Sequence, residues 1–339
     1  MTHKFSAAVL RQAGQDLSIE ELNTRPLESG QVLVKIFYSG ICRSQLMEQR
    51  GLRGEDKWLP HLLGHEGVGE ILEVADDVTK CTTGDLVVLS WVEGSGLNAE
   101  NATYLDSFGL TVNSGKVTTF STISIVSENR VFRAPEGFDR KFLPLFGCAL
   151  LTGGGMALNY GTGELINKIC VIGFGGIGSA AALVLKGMGK SHVDIIEPSM
   201  EKIEQAWNMG FTNVFQSIES ASANYDLVLE ASGTSRAIEQ GFDQLSSRGT
   251  LVFASHPAHG EKVSLDPHAL IKGKKIYGTW GGDLSPDTDM MTIARYILSS
   301  GVNLELLLGE VFSINEVNQG LAYLDSGRIG RPLLKLNEV

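Results

Sequence analysis

Lys168-Ile169-Cys170-Val171-Ile172-Gly173-Phe174-Gly175-Gly176-Ile177-Gly178 is the stretch that decides the fold. A continuous apolar run leads into a G-x-G-x-x-G turn, and small and apolar residues from Ser179 to Met188 then follow as a helix. A strand before the turn and a helix after it raise this motif above chance. The first glycine permits the tight turn, and the second lets the backbone approach a pyrophosphate facing helix-terminal N–H groups. The third lets helix and strand pack closely. A dinucleotide site is the implied function, with Gly173, Gly175, Gly176, Ile177 and Gly178 as its turn.

Outward from this unit the texture stays alternating. Val193 to Glu197, Tyr225 to Glu230, Gly249 to Ala254 and Lys275 to Trp280 read as strands with helical patterns between them. Such alternation implies a doubly wound parallel sheet, an α/β (Rossmann) arrangement. Glu197 ends the strand after the turn, about twenty residues on, where a carboxylate accepts hydrogen bonds from the adenosine ribose and repels a 2′-phosphate. NAD is therefore expected as cofactor over NADP. Cys170 lies inside the first strand and reads as core.

Before this region, from Ala7 to about Val92, short alternating runs broken by turn residues read as an all-β domain. The segment Glu93 to Gly115 is polar, small and aperiodic, a loop or lobe. Strand signals resume at Val117–Phe120 and Ile123–Val126. Phe142 to Tyr160 reads as one or two buried helical segments, and Thr288 to Ser299 as a helix. The tail from Phe312 to Leu336 mixes strand and helix signals. The plan is a β-rich domain over 1–152 and 291–339, with the parallel α/β domain inserted at 153–290.

Composition excludes several classes. The 339 residues, 43% hydrophobic and 20% charged, suit about two ordinary globular domains. A formal charge of −11 without any Lys/Arg run disfavours nucleic acid as a partner. No apolar stretch reaches the roughly 20 residues of a membrane helix, and Met1-Thr2-His3-Lys4 does not open a secretory signal. A cytoplasmic protein with a small-molecule substrate is expected. The four cysteines, Cys42, Cys81, Cys148 and Cys170, lack the density of a disulfide framework, which leaves packing, catalysis or metal binding.

Gly64-His65-Glu66, with Gly40-Ile41-Cys42-Arg43-Ser44 before it and Gly147-Cys148 after it, offers one imidazole and two thiols. On residue types alone two readings stand: a Cys2His catalytic zinc with an open fourth position, or buried thiols beside a core histidine. Gly64-His65-Glu66-x-x-Gly69 followed by Ala75 and Val78 resembles the zinc signature of the medium-chain zinc-dependent alcohol dehydrogenase family. Gly40 to Ser44 resembles its first-ligand segment, and Gly147-Cys148 with Thr152-Gly153 its third. Gly173 to Gly178 stands where that family's cofactor domain begins.

The resemblance implies a GroES-like catalytic domain around the inserted Rossmann domain, and hydride transfer between an alcohol and NAD. Cys42, His65 and Cys148 would bind one zinc, with Glu66 beside it tuning the field or exchanging onto the metal. Ser44 would pass the alcohol proton toward the cofactor ribose and solvent. Arg43 and Arg331 would meet the pyrophosphate, Lys202 the adenosine ribose alongside Glu197, and Thr152 the cofactor. Trp91 would form a wall of the substrate pocket, with Leu110 and the His61 region nearby. A homodimer or homotetramer is the implied assembly.

The chain also departs from the family pattern. Glu93 to Gly115 contains no cysteine, with Ser95 and Asn98 near the first two expected positions, so no structural zinc is expected. Gln45 replaces an aspartate that orients the site, and Met47 replaces a histidine that ends the proton relay in some members. His61 precedes His65 at i, i+4 spacing, but Pro60 argues against a shared helix face. Cys81 reads as a semi-buried thiol, and His192, His256, His259 and His268 as turn or element-end residues; His256 could approach the nicotinamide. Competing readings are a zinc-free quinone or enone reductase using NADPH, and a nucleotide-binding protein without turnover.

Overall fold

A computed structural model describes residues 2–254, 257 and 260–338, so the expectations for His256 and His259 lie outside the described residues. The chain forms two compact units. One comprises 1–148, 285–287 and 308–339; the other comprises 149–284 and 288–307.

The first unit is β-rich. Strands Lys4–Leu10, Ser18–Thr24, Thr103–Leu105, Thr111–Asn113 and His61–Leu62 close into a small barrel. Beside it runs a seven-stranded sheet whose central strand is Gln31–Gly40. That strand pairs antiparallel with Glu66–Val74, Ile123–Ser127 and Arg331–Lys335. Leu333 sits opposite Gly40, so strand Arg331–Lys335 is paired with the end of the strand that leads to Cys42. Alternation explains the core: Val32, Val34, Ile36, Val87, Leu89 and Leu334 bury one sheet face, while Phe5, Ala7, Val9, Leu22 and Tyr104 fill the barrel.

Three local expectations change here. The supposed loop Glu93–Gly115 contains the short hairpin of Thr103–Leu105 and Thr111–Asn113, too brief to show alternation. Val117–Phe120 is not a strand, because the Thr119 and Phe120 N–H groups both donate to the Leu63 carbonyl instead of to a ladder. The region read as all-β also contains a helix, Arg43–Gln49, which begins at Cys42 and buries Gln45 and Leu46.

Segment Glu93–Gly115 is anchored by a carboxylate. Glu128, 1% exposed, accepts hydrogen bonds from the backbone N–H groups of Thr79, Lys80 and Leu97 at 2.7, 2.7 and 2.6 Å.

The second unit is a six-stranded parallel sheet. Its order is Val214–Phe215, Val193–Ile196, Ile169–Ile172, Tyr225–Glu230, Leu245–Phe253, Lys275–Gly278. Numbered along the chain this is 3-2-1-4-5-6, the doubly wound dinucleotide order, with the G-x-G-x-x-G turn leaving its first strand. Helix Pro286–Ser299 belongs almost wholly to this unit, so the chain returns to the β-rich unit at 308 rather than at 291. Backbone contact accounts for the later boundary: a Cβ at Gly187 would lie 1.9 Å from the Tyr296 carbonyl oxygen. Phe142–Tyr160 resolves into a 3-10 helix, Arg140–Gly147, and an α-helix, Ala149–Tyr160, separated at Cys148.

Candidate metal centre and nucleotide-binding turn

Cys42 stands between strand Gln31–Gly40 and helix Arg43–Gln49, in extended backbone geometry with its N–H donating to Gln45 Oε1 at 3.2 Å. His65 follows Gly64, whose φ of +90° turns the chain sharply; a Cβ at Gly64 would sit 2.4 Å from Thr119 Oγ1. Cys148 occupies the break after the 3-10 helix. A Cβ at Gly147 would meet the Leu89 carbonyl oxygen at 2.3 Å, so only glycine brings the third segment this close.

The result is convergence within one unit: Cys42 Sγ, Cys148 Sγ and a His65 ring nitrogen all lie within 4.8 Å of one another. His65 Nε2 is buried without a hydrogen-bond partner. Its Nδ1 faces the Gln45 side-chain amide, with Ser44 Oγ at 3.4 Å. Two sulfurs and an imidazole nitrogen are a zinc donor set, and tetrahedral zinc with bonds of about 2.0–2.3 Å would space them roughly 3.5 Å apart. The residues fit the ion.

Charge at the centre is arranged around Glu66 and Arg331. Glu66 is fully buried, and burial pushes its carboxyl up to about 7, against the pull of Arg331. Arg331 Nε lies 3.5 Å from Glu66 Oε1, and its Nη1 donates to the Ile41 carbonyl at 3.2 Å. Arg331, expected at the cofactor pyrophosphate, has its guanidinium beside Glu66 and the Ile41 carbonyl. The Cys42 thiol is held well below its ordinary range, first by the hydrogen bond from Cys148 and further by Arg331 and His65. Cys148 is correspondingly pushed up by Cys42 and by burial.

In the second unit, Gly173 has φ +88°, and a Cβ at Gly178 would lie 1.8 Å from the Gly173 carbonyl oxygen. Around Gly175 a Cβ would meet nothing within 4 Å, which leaves the backbone open to an approaching phosphate at the start of helix Gly176–Gly187. Glu197 accepts from the Phe174 N–H at 2.8 Å and from the Ser199 N–H at 3.0 Å, so it also ties the turn to the next strand. Lys202 is half-buried on helix Met200–Asn208. Thr152 is buried and its Oγ1 has no hydrogen-bond partner.

Two models of known families match the chain: the alcohol dehydrogenase GroES-like domain over residues 28–136 and the zinc-binding dehydrogenase over 176–296. The chain belongs to the medium-chain zinc-dependent alcohol dehydrogenase family. The NDMA-dependent alcohol dehydrogenase of Amycolatopsis methanolica is 29% identical, over 96% of this chain and 97% of that relative. Among solved structures, an alcohol dehydrogenase zinc-binding domain protein from Burkholderia ambifaria superposes with a TM-score of 0.90 at 24% identity, covering 100% of both chains. Benzyl alcohol dehydrogenase from Acinetobacter calcoaceticus does so at 0.87 and 24%, covering 99% of this chain and 100% of that one. These two likenesses establish the fold of a medium-chain dehydrogenase.

Arg43 is exposed on the first turn of its helix. Trp91 is half-buried against the core of the β-rich unit, its carbonyl accepting from Arg130. Leu110 is 60% exposed and lines a surface groove with Arg11, Ile19 and Phe108, outside the ligand cluster. Cys81 and Cys170 are buried thiols. Sequence reasoning missed the Gln45 contact and the anchoring by Glu128; both are pairings that a one-dimensional pattern does not carry.

Proposed function

We propose that the chain is a zinc-dependent alcohol dehydrogenase using NAD, acting on a primary, secondary or polyol- or sugar-derived alcohol or the matching carbonyl. The observation that carries this reading is the buried, unpartnered Nε2 of His65, on a ring that lies with two cysteine sulfurs within 4.8 Å of one another. Cys42, His65 and Cys148 hold the ion. A zinc bound there supplies a Lewis acid that polarises the alcohol or carbonyl oxygen. Ser44 takes the substrate proton. Glu66 and Arg331 offset each other's charge behind the ligands, which with two thiolates and a dication gives a neutral centre. In the nucleotide unit, the backbone from Gly173 to Gly178 receives the pyrophosphate, and Glu197 the ribose hydroxyls through lone pairs left free by the Phe174 and Ser199 N–H groups.

Elemental analysis should find one zinc per chain, lost together with NADH formation in Cys148→Ala, over a panel of alcohols, polyols and sugar derivatives. A measured preference for NADP overturns the cofactor reading. Zinc-free protein that reduces quinones or enones with NADPH replaces the reading altogether.

A further inference from the structure

The β-rich unit brings together a second set of metal-ligating side chains. Glu48, on the helix that starts at Cys42, Asp56 and His61 each offer one ligand atom, all within 4.8 Å of one another. His61 is 6% exposed, and its Nδ1–H donates to the Leu62 carbonyl at 2.9 Å, which turns Nε2 toward the two carboxylates. Nε2 lies 2.7 Å from Asp56 Oδ2 and 4.0 Å from Glu48 Oε1. Each carboxylate is aimed by its other oxygen: Asp56 Oδ1 accepts from the Trp58 N–H at 2.9 Å, and Glu48 Oε2 lies 3.4 Å from Arg53 Nη1.

We propose that Glu48, Asp56 and His61 form an accessory site for a divalent first-row transition ion, with water completing the coordination. A simple ion pair accounts for these groups less well. One imidazole proton serves Asp56 but is out of hydrogen-bond range of Glu48 Oε1, which accepts no hydrogen bond from a described residue. A dication at the meeting point satisfies all three ligand atoms and balances both carboxylates, while the Nε2 proton leaves to solvent. An imidazole with its other nitrogen on a backbone carbonyl, and carboxylates each held from behind, is the outer-shell arrangement that metal ligands require. Two carboxylates and water around one imidazole suit Mn2+ rather than a thiolate-seeking ion. The ion fastens residues 51–60 to helix Arg43–Gln49, and so acts on the segment that begins with Cys42 without belonging to the Cys42, His65, Cys148 set.

The probe is Mn2+, which avoids thiolates, added to the zinc-loaded protein and followed by electron paramagnetic resonance. One Mn2+ per chain is expected, with nitrogen hyperfine coupling from His61. Asp56→Asn and Glu48→Gln should each weaken it at least tenfold while zinc content stays at its wild-type value. No Mn2+ uptake, uptake without nitrogen coupling, or uptake that neither substitution weakens overturns the proposal. The nitrogen coupling is read on the unsubstituted chain, so the test survives a variant that fails to fold.

Discussion

Arg331 Nε stands 3.5 Å from Glu66 Oε1, although the two residues are far apart in the sequence and the carboxylate is fully buried. Removing one member of a buried pair leaves the other to bear an uncompensated charge or to take up a proton. Arg331→Met should therefore lower stability by about 3–5 kcal/mol, read by urea unfolding. It should also keep Glu66 protonated above its present value of about 7, visible as a carboxylic C=O band in the infrared at pH 8. Because that value is raised above the unfolded carboxyl value of about 4.3, the metal-free protein loses stability as pH climbs through this window. Glu66→Gln should flatten the dependence.

Thiolate character separates the four cysteines. Cys42 is the partly exposed one and its thiol is held well below the ordinary range, whereas burial pushes Cys81 up to about 11 and Cys148 and Cys170 are buried and raised too. In metal-free protein at pH 7, iodoacetamide should label Cys42 first, and zinc should suppress the labelling. Mass spectrometry finding Cys148 or Cys170 labelled first would reverse this ranking.

Gln45 meets two neighbours with the two ends of its amide. Its amide oxygen takes the Cys42 N–H, and its amine faces His65 Nδ1. A histidine that binds metal through Nε2 carries its proton on Nδ1 and needs an acceptor there. Gln45→Glu provides two oxygens and should tighten zinc binding about tenfold, measured by chelator competition; unchanged affinity would show that the amide already suffices.

Glu128 accepts hydrogen bonds from three backbone N–H groups. Glu128→Ala should cost about 3 kcal/mol, read from thermal or urea unfolding. Burial opposes ionisation there, but the N–H groups of Leu97, Lys80 and Thr79 outweigh it and hold the carboxyl below its ordinary value. Its stabilisation is thus complete above the unfolded value of about 4.3 and disappears as pH falls through the lower folded value. The Ala variant should lose that portion of the acid sensitivity.

Gly178 leaves no room for a methyl group, with the Gly173 carbonyl oxygen 1.8 Å from its hypothetical Cβ. Gly178→Ala should destabilise the protein by about 3 kcal/mol and abolish the fluorescence change on NADH titration. Retained cofactor affinity would place the pyrophosphate elsewhere.

The legible parts of this chain were the local ones. Lys168 to Gly178 carries strand, turn and helix in consecutive residues, so its fold could be read directly. Cys42, His65 and Cys148 were readable only as a set of residue types resembling a family, since their approach depends on the close contacts at Gly64 and Gly147. Helix Arg43–Gln49 escaped notice because it spans two turns inside strand-rich sequence. Arg331 with Glu66, and Glu128 with Leu97, are long-range pairings set by sheet register and loop closure, and no pattern along the sequence announces them.

Strand Arg331–Lys335 pairs with Gln31–Gly40 and delivers Arg331 to Glu66. During synthesis, Cys42, His65 and Cys148 leave the ribosome long before the residue that compensates Glu66. A nascent chain stalled before Arg331 therefore holds the buried Glu66 without its counter-charge.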